Sequence, residues 1–226
     1  MLRRGLKLPK NVEALVSELG REPESWPRNC LINYPKSFNH DIDLIAQALK
    51  IVSIRPNDAR SLVLSIDADA MKRRFIDVAL WAGSWRASYS GVGDSSRQSS
   101  RLRKPISQKR LDQLFVRDKW RCRYCGIRVA GNRKYFKKFA AAIDMPELVS
   151  GRTDESRHGI YMTLMASYDH VKAHSDNGAD QEDNLVTSCW SCQFGKYKYR
   201  LDQLQLDQPQ KVDTGKLDDW QGLVIK

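Results

Sequence analysis

At 226 residues the chain can hold one large domain or two small ones, and its 41% hydrophobic and 29% charged content is that of a folded soluble protein. No apolar run approaches the ~20 residues a bilayer-spanning helix needs, and the start MLRRGLKLPKN lacks an apolar stretch with a cleavage site behind it, so a membrane or secretory class is not expected and the location is read as cytoplasmic. Lys+Arg at 38 against Asp+Glu at 27 gives a formal charge of +11, which favours a polyanionic partner such as nucleic acid, although a basic balance also fits a merely soluble surface.

Residues 1–90 read as a helical domain with no catalytic constellation and no evident role beyond a docking site for a partner protein. In VEALVSELG, Val12, Leu15, Val16 and Leu19 share one helical face and Gly20 follows as a natural stop. DIDLIAQALKIV repeats the pattern through Ile42, Ile45 and Leu49. A third helix is expected from Asp67 as N-cap, its apolar stripe running through Met71, Phe75, Val78, Ala82 and Trp85. Trp81, Trp85 and His40 are read as packing residues. Residues 91–106 change to Gly and Ser and then to basic residues, which marks a linker, and from Arg97 to Arg110 there are six positive residues and no acid. That run either tracks phosphates or is a solvated tether.

Ser107 then caps a short helix carrying Leu111, Leu114 and Phe115, which leads to the first of two Cys-x-x-Cys pairs, Cys122/Cys125 and Cys189/Cys192; Cys30 stands apart. Without a secretory signal, paired CxxC motifs point to thiolate ligands for one structural zinc rather than to disulfides. A thioredoxin-type pair is the rival and would need a βαβ setting, which the turn-like WRCRYCG and CWSCQFG do not offer. Unmetallated buried thiols are the plain alternative. The 63 residues from Gly126 to Ser188 form a long gap, yet loop-closure entropy rises only logarithmically with length. Within it GNRKYFKKFAAAI reads as a helix with Arg133, Lys134, Lys137 and Lys138 around Tyr135 and Phe136, suited equally to a nucleic-acid backbone and to a solvated face over a core.

MTLMASYDH turns polar at Tyr168 and reads as a strand delivering Asp169 and His170 to its end. The loop SDNGADQED follows with an Asn-Gly turn signal, then NLVTSCWSC, and then a basic amphipathic helix over FGKYKYRLDQLQL. An imidazole suits proton abstraction near neutral pH, since its ordinary pKa is ~6.5. A carboxylate beside it suits a divalent ion.

This order, fastened by four cysteines, resembles the HNH nuclease superfamily, whose ββα-metal module shows a DH pair, a Gly-containing loop, NL, and CxxC(N/H)xxK. The resemblance covers residues 107–206, with an insertion near 130–160, and leaves 207–226 as a C-terminal tail. It implies an α+β architecture in which a helical N-terminal domain precedes a zinc-stapled ββα-metal domain. It also implies a metal-dependent endonuclease acting on DNA. Asp169 would ligate magnesium or manganese, His170 would be the general base, Asn184 would fix the loop that aims it, and Gln193 would occupy the last ligand position. Lys196 matches a phosphate contact, His174 a substrate contact, and Lys198 and Arg200 extend the basic patch. The chain departs from the family in carrying Gln193 where Asn or His is usual, and in the length between Cys125 and Asp169. Two other readings stay open: a non-catalytic zinc module binding nucleic acid or a partner protein, and a nuclease directed at RNA.

Overall fold

The computed structural model describes residues 12–90, 105–209 and 218–225. The linker 91–106 and its basic run thus lie, up to residue 104, outside the described residues. Helices α1 (Val12–Leu19), α2 (Lys36–Ile51), α3 (Pro56–Leu64), α4 (Ala68–Arg74) and α5 (Leu80–Tyr89) come first, then α6 (Gln108–Arg117), α7 (Arg133–Ala142), α8 (Glu147–Ser150) and α9 (Gly159–Leu164). The chain finishes the site with β1 (Ala166–His170), β2 (Leu185–Cys189) and α10 (Trp190–Lys196). The fold is mixed, mostly helical, with one small antiparallel sheet pairing Ala166 with Cys189 and His170 with Leu185. No helix of the described residues is long and apolar enough to cross a membrane.

Several local signals act as the sequence suggests. Gly20 takes φ +78° after α1, a conformation costly for a residue with a Cβ. The Asp67 side chain accepts from the Ala70 amide and the Ser107 side chain from the Arg110 amide, each satisfying a donor that a helix start leaves free. The stripe from Met71 to Trp85 is buried, but the helix is not continuous: Phe75–Ala79 forms a π-helical turn that inserts an extra residue between α4 and α5. Helix α3 was not expected from the sequence pattern, and Pro56 at its first turn is the signal that marks it. His40, expected to pack, is exposed.

Two further segments differ. The stretch Met162–Leu164, read as strand, belongs to α9, every residue of which is buried. A short apolar run has no periodicity that separates a strand from a fully buried helix, so only Ala166–His170 is extended. The expected helix over residues 194–206 instead begins at Trp190 and stops at Lys196, because Tyr197 adopts φ +53°. Its start is set by the knuckle: Cys189 Sγ accepts from the Cys192 amide at 3.5 Å, so the thiol caps the helix.

Among the described residues the main core runs from Leu15, Ile42 and Ile45 to Phe115, Phe136 and Leu164, with a smaller cluster of Phe75, Leu80 and Met162 beside it. Burying side chains of this size contributes about 1.5–3 kcal/mol each. At its centre α5 lies against α10 without intervening side chains. A Cβ on Gly83 would stand 1.9 Å from the Gly195 carbonyl oxygen, and one on Gly195 would stand 2.5 Å from that of Ala79. The end of the chain is also tied in, for Trp220 donates from Nε1 to the Val129 carbonyl at 2.8 Å and the Leu223 amide donates to Ala130 at 2.8 Å.

Candidate active site and metal centre

The knuckle forms where the α6 exit turns back on itself. Cys122 N donates to Ile127 O at 2.9 Å and Gly126 N to Cys122 O at 2.8 Å, which closes the first CxxC as a tight hairpin. Arg123 N donates to Thr187 O and so brings β2, and with it Cys189 and Cys192, over the turn. The ligand atoms of the four cysteines all lie within 4.8 Å of one another. A tetrahedral set at the usual zinc–sulfur distance of ~2.3 Å has sulfur–sulfur edges of ~3.8 Å, and Cys125 and Cys189 are 3.8 Å apart. The donor set therefore fits one zinc ion. Cys122, Cys189 and Cys192 are buried and all four thiols are free of disulfides. Burial pushes the thiol of Cys122 up, but hydrogen bonds from its three neighbours hold it well below the ordinary range, while Cys125 is raised by burial. Cys30 is buried outside the cluster, and burial pushes it up to about 11.

Asp118 joins α6 to this centre. Its carboxylate, 1% exposed, accepts from Arg117 at 2.9 and 3.0 Å, from Arg123 at 2.8 Å and from the Thr187 amide at 2.7 Å. The same Arg117 donates to the Glu182 and Leu185 carbonyls, both at 2.7 Å, and Arg110 to the Asp180 carbonyl. Arg110, expected among phosphate contacts, thus steadies the loop after β1.

That loop carries the Asp-His pair into place. Asn184 accepts from the Lys172 amide at 2.8 Å and donates to the Lys172 and Ala179 carbonyls at 3.1 and 2.9 Å, closing residues 172–184 into a loop pinned from inside. His170, 5% exposed, stands at the end of β1 with Nε2 at 2.6 Å from Asp180 Oδ1. A carboxylate only accepts, so Nε2–H donates and Nδ1 is left as the basic nitrogen. This bond holds the Asp180 carboxyl below the usual range. The sequence pattern did not single out Asp180; an acid ten residues after a histidine, in a Gly-containing loop, is a weak signal. The His174 ring lies 6.0 Å from that of His170.

Asp169, next to His170 on a strand, faces a different set of groups. Its Oδ2 accepts from the Tyr124 hydroxyl at 2.7 Å and pairs with Lys196 Nζ at 3.0 Å. Lys196 also donates to the His170 carbonyl at 2.9 Å. It is 1% exposed, so it is turned inward, away from the phosphate contact expected of it, because its ammonium answers a buried carboxylate. Gln193 donates from Nε2 to the Tyr168 carbonyl at 2.8 Å, and among the described residues its amide oxygen has no hydrogen-bond partner. Asp169 Oδ1 and Gln193 Oε1 are hard oxygens of the kind a magnesium or manganese ion takes.

The remaining basic residues divide. On α7, Arg133, Lys134, Lys137 and Lys138 are exposed, whereas Phe136 is buried and Tyr135 partly so. Arg133 donates to the Val149 carbonyl at 3.2 Å. Arg200 is exposed but pairs with Asp202 at 2.8 Å, and Lys198 lies 5.8 Å from the centre of the Tyr197 ring.

A family model described as HNH endonuclease matches residues 156–196, from just before α9 to the end of α10. No curated protein and no solved structure matches the chain. The matched segment contains the Asp169-His170 pair, Asn184, the second CxxC and Lys196, and a nuclease-type, metal-dependent function follows from it at that level. Over residues 156–196 the chain thus matches the HNH endonuclease family, and Cys122 and Cys125, from the segment before it, join Cys189 and Cys192 of the matched segment in the four-cysteine cluster.

Proposed function

We propose that the protein is an endonuclease that hydrolyses phosphodiester bonds of DNA, with His170 Nδ1 as the base that takes a proton from the attacking water. The observation that carries this reading is the 2.6 Å bond from His170 Nε2 to Asp180, which orients the ring and fixes the tautomer that leaves Nδ1 free to accept a proton. Asn184 keeps the loop closed around that pair. His174, beside the His170 ring, is a substrate contact. A magnesium or manganese ion on Asp169 and Gln193 would neutralise phosphate charge and stabilise the leaving oxygen. Lys196 fixes both residues of the Asp-His pair, one through its carboxylate and the other through its carbonyl. The exposed cations of α7 supply a sequence-independent hold on the backbone of the nucleic acid. Four reduced thiols around zinc suit a cytoplasmic setting.

Incubating the purified chain with supercoiled plasmid and with RNA, in magnesium, manganese or EDTA, tests this. Metal-dependent nicking of DNA that His170→Ala abolishes is the expected result. Cleavage confined to RNA would move the substrate, and no cleavage of either would overturn the enzyme reading. One observation favours a second reading, a zinc module that binds nucleic acid or a partner protein without cutting it: the Asp169 carboxylate is already neutralised by Lys196. Retained DNA binding with no cleavage in any metal would select it.

A further inference from the structure

Segment 27–34 comes from the N-terminal part of the chain, yet it ends at the four-cysteine cluster. Arg86 on α5 holds its first half. The side chain is 0% exposed, and its guanidinium donates to the carbonyls of Pro27 at 2.9 Å, Cys30 at 3.0 Å, Leu31 at 2.6 Å and Leu204 at 3.1 Å. Among the described residues none of its hydrogen bonds goes to a carboxylate, so a buried cation sits here without a paired acid. Burial, with the like charge of Arg28, pulls it down to about 10, so it stays protonated at neutral pH. Arg74 on α4 holds the second half, donating to the Asn33 carbonyl while its guanidinium is anchored on Glu18 at 2.9 Å.

Between these clamps and the cluster stands Tyr34. Its ring packs on Phe38, with centroids 5.7 Å apart, and its hydroxyl lies 3.3 Å from Cys189 Sγ. A zinc-bound cysteine is a thiolate and can only accept, so the phenol donates. Four thiolates on one divalent ion leave a double negative charge in a buried place. Hydrogen-bond donors and cations around such a cluster stabilise it, and losing one outer partner of a metal ligand typically weakens affinity by about 10–100-fold.

We propose that segment 27–34 is the outer shell of the zinc centre: Tyr34 donates a hydrogen bond to the Cys189 thiolate, Arg86 and Arg74 hold the segment that carries it, and the N-terminal helices thereby set how tightly the metal is held. The proposal rests on the reading of the four cysteines as a zinc site. It gives the N-terminal part a duty that its sequence, with no catalytic constellation, does not announce.

The test uses the full zinc-loaded chain, with Tyr34→Phe as the main variant and Phe38→Leu as a packing control. Zinc affinity is read by competition with a chromogenic chelator, and the sulfur environment by the thiolate-to-metal charge-transfer band of the cobalt-substituted protein. Tyr34→Phe should weaken zinc binding about tenfold or more and shift the cobalt band, since the hydrogen bond to sulfur is removed while the ring stays. Phe38→Leu should leave both unchanged. Wild-type affinity and an unmoved band in Tyr34→Phe would overturn the proposal, as would an equal loss in Phe38→Leu, which would assign the effect to packing. A wild-type chain that retains no zinc would overturn the metal reading itself, an outcome distinct from either.

Discussion

The Lys196 ammonium lies 3.0 Å from Asp169 Oδ2 in a place where neither side chain is more than 10% exposed. Two charges at this depth are each other's main compensation, and removing one strands the other. Lys196→Met should destabilise the protein by about 3–5 kcal/mol, and adding Asp169→Asn should restore part of that loss because the stranded charge is gone. Thermal melts of the single and double variants check this, with additive losses as the contrary result.

The His170 and Asp180 pair leads to a kinetic prediction. His170→Ala should lower kcat for DNA cleavage by about 10²–10⁴-fold with nearly unchanged DNA affinity, since the base acts in the chemical step. Asp180→Asn should leave affinity intact and lower kcat at least about tenfold, a loss of ~1.4 kcal/mol in transition-state stabilisation. Single-turnover rates and a binding titration separate the two quantities. An Asp180→Asn enzyme at wild-type rate would remove Asp180 from the site.

Asp118 should govern acid stability. Burial alone would raise its carboxyl, but the hydrogen bonds of Arg117 and the Thr187 amide outweigh it and hold the group below its ordinary range. A depressed folded value means that the stabilisation is present above the unfolded value of ~3.9 and is lost as pH falls through the lower, folded one. Melting temperature should therefore drop steeply below about pH 4 in the wild type. Asp118→Asn should be less stable near neutrality, by about 3 kcal/mol, with a flatter acid limb. Parallel acid limbs in the two proteins would refute the assignment.

Much of this was legible in the sequence, and the parts that were not share a physical cause. Caps at Asp67 and Ser107, the paired cysteines and the strand end at His170 are local signals, written within a few residues of where they act. The π turn at Phe75–Ala79, the burial of Lys196 and the partnership of Asp180 with His170 depend on groups far away or on a single extra residue, and no periodicity encodes them. The roles of Tyr124, which sits inside the first CxxC, and of Tyr34 were not legible either, because each meets its partner across more than forty residues.

Metal removal provides a fourth test. Elemental analysis should find about one zinc per chain, and Ser in place of any of Cys122, Cys125, Cys189 or Cys192 should lower both zinc content and melting temperature, since metal affinity is coupled to folding. Cys30→Ser should keep the zinc. A chelator that strips all metal and leaves the melt unchanged would contradict this.

The exposed face of α7 is tested with salt. Replacing Lys134, Lys137 and Lys138 together by Gln should weaken DNA binding for unrelated sequences alike and reduce the log–log salt slope by about one unit for each phosphate no longer neutralised. With Phe136 untouched in the core, stability should change by less than about 0.5 kcal/mol. An unchanged slope would make the face merely solvated.

The meeting of Gly83 and Gly195 limits where the segment matched by the HNH family model can travel. Because the two backbones touch with no room for a methyl group, α10 is shaped to one particular supporting helix. Grafting residues 156–196 onto another scaffold would carry over the motif but not the surface it rests on, and any recipient would have to present a glycine at the matching height. Recombination between related chains should accordingly preserve α4, α5 and α10 as one block, with breakpoints falling outside them.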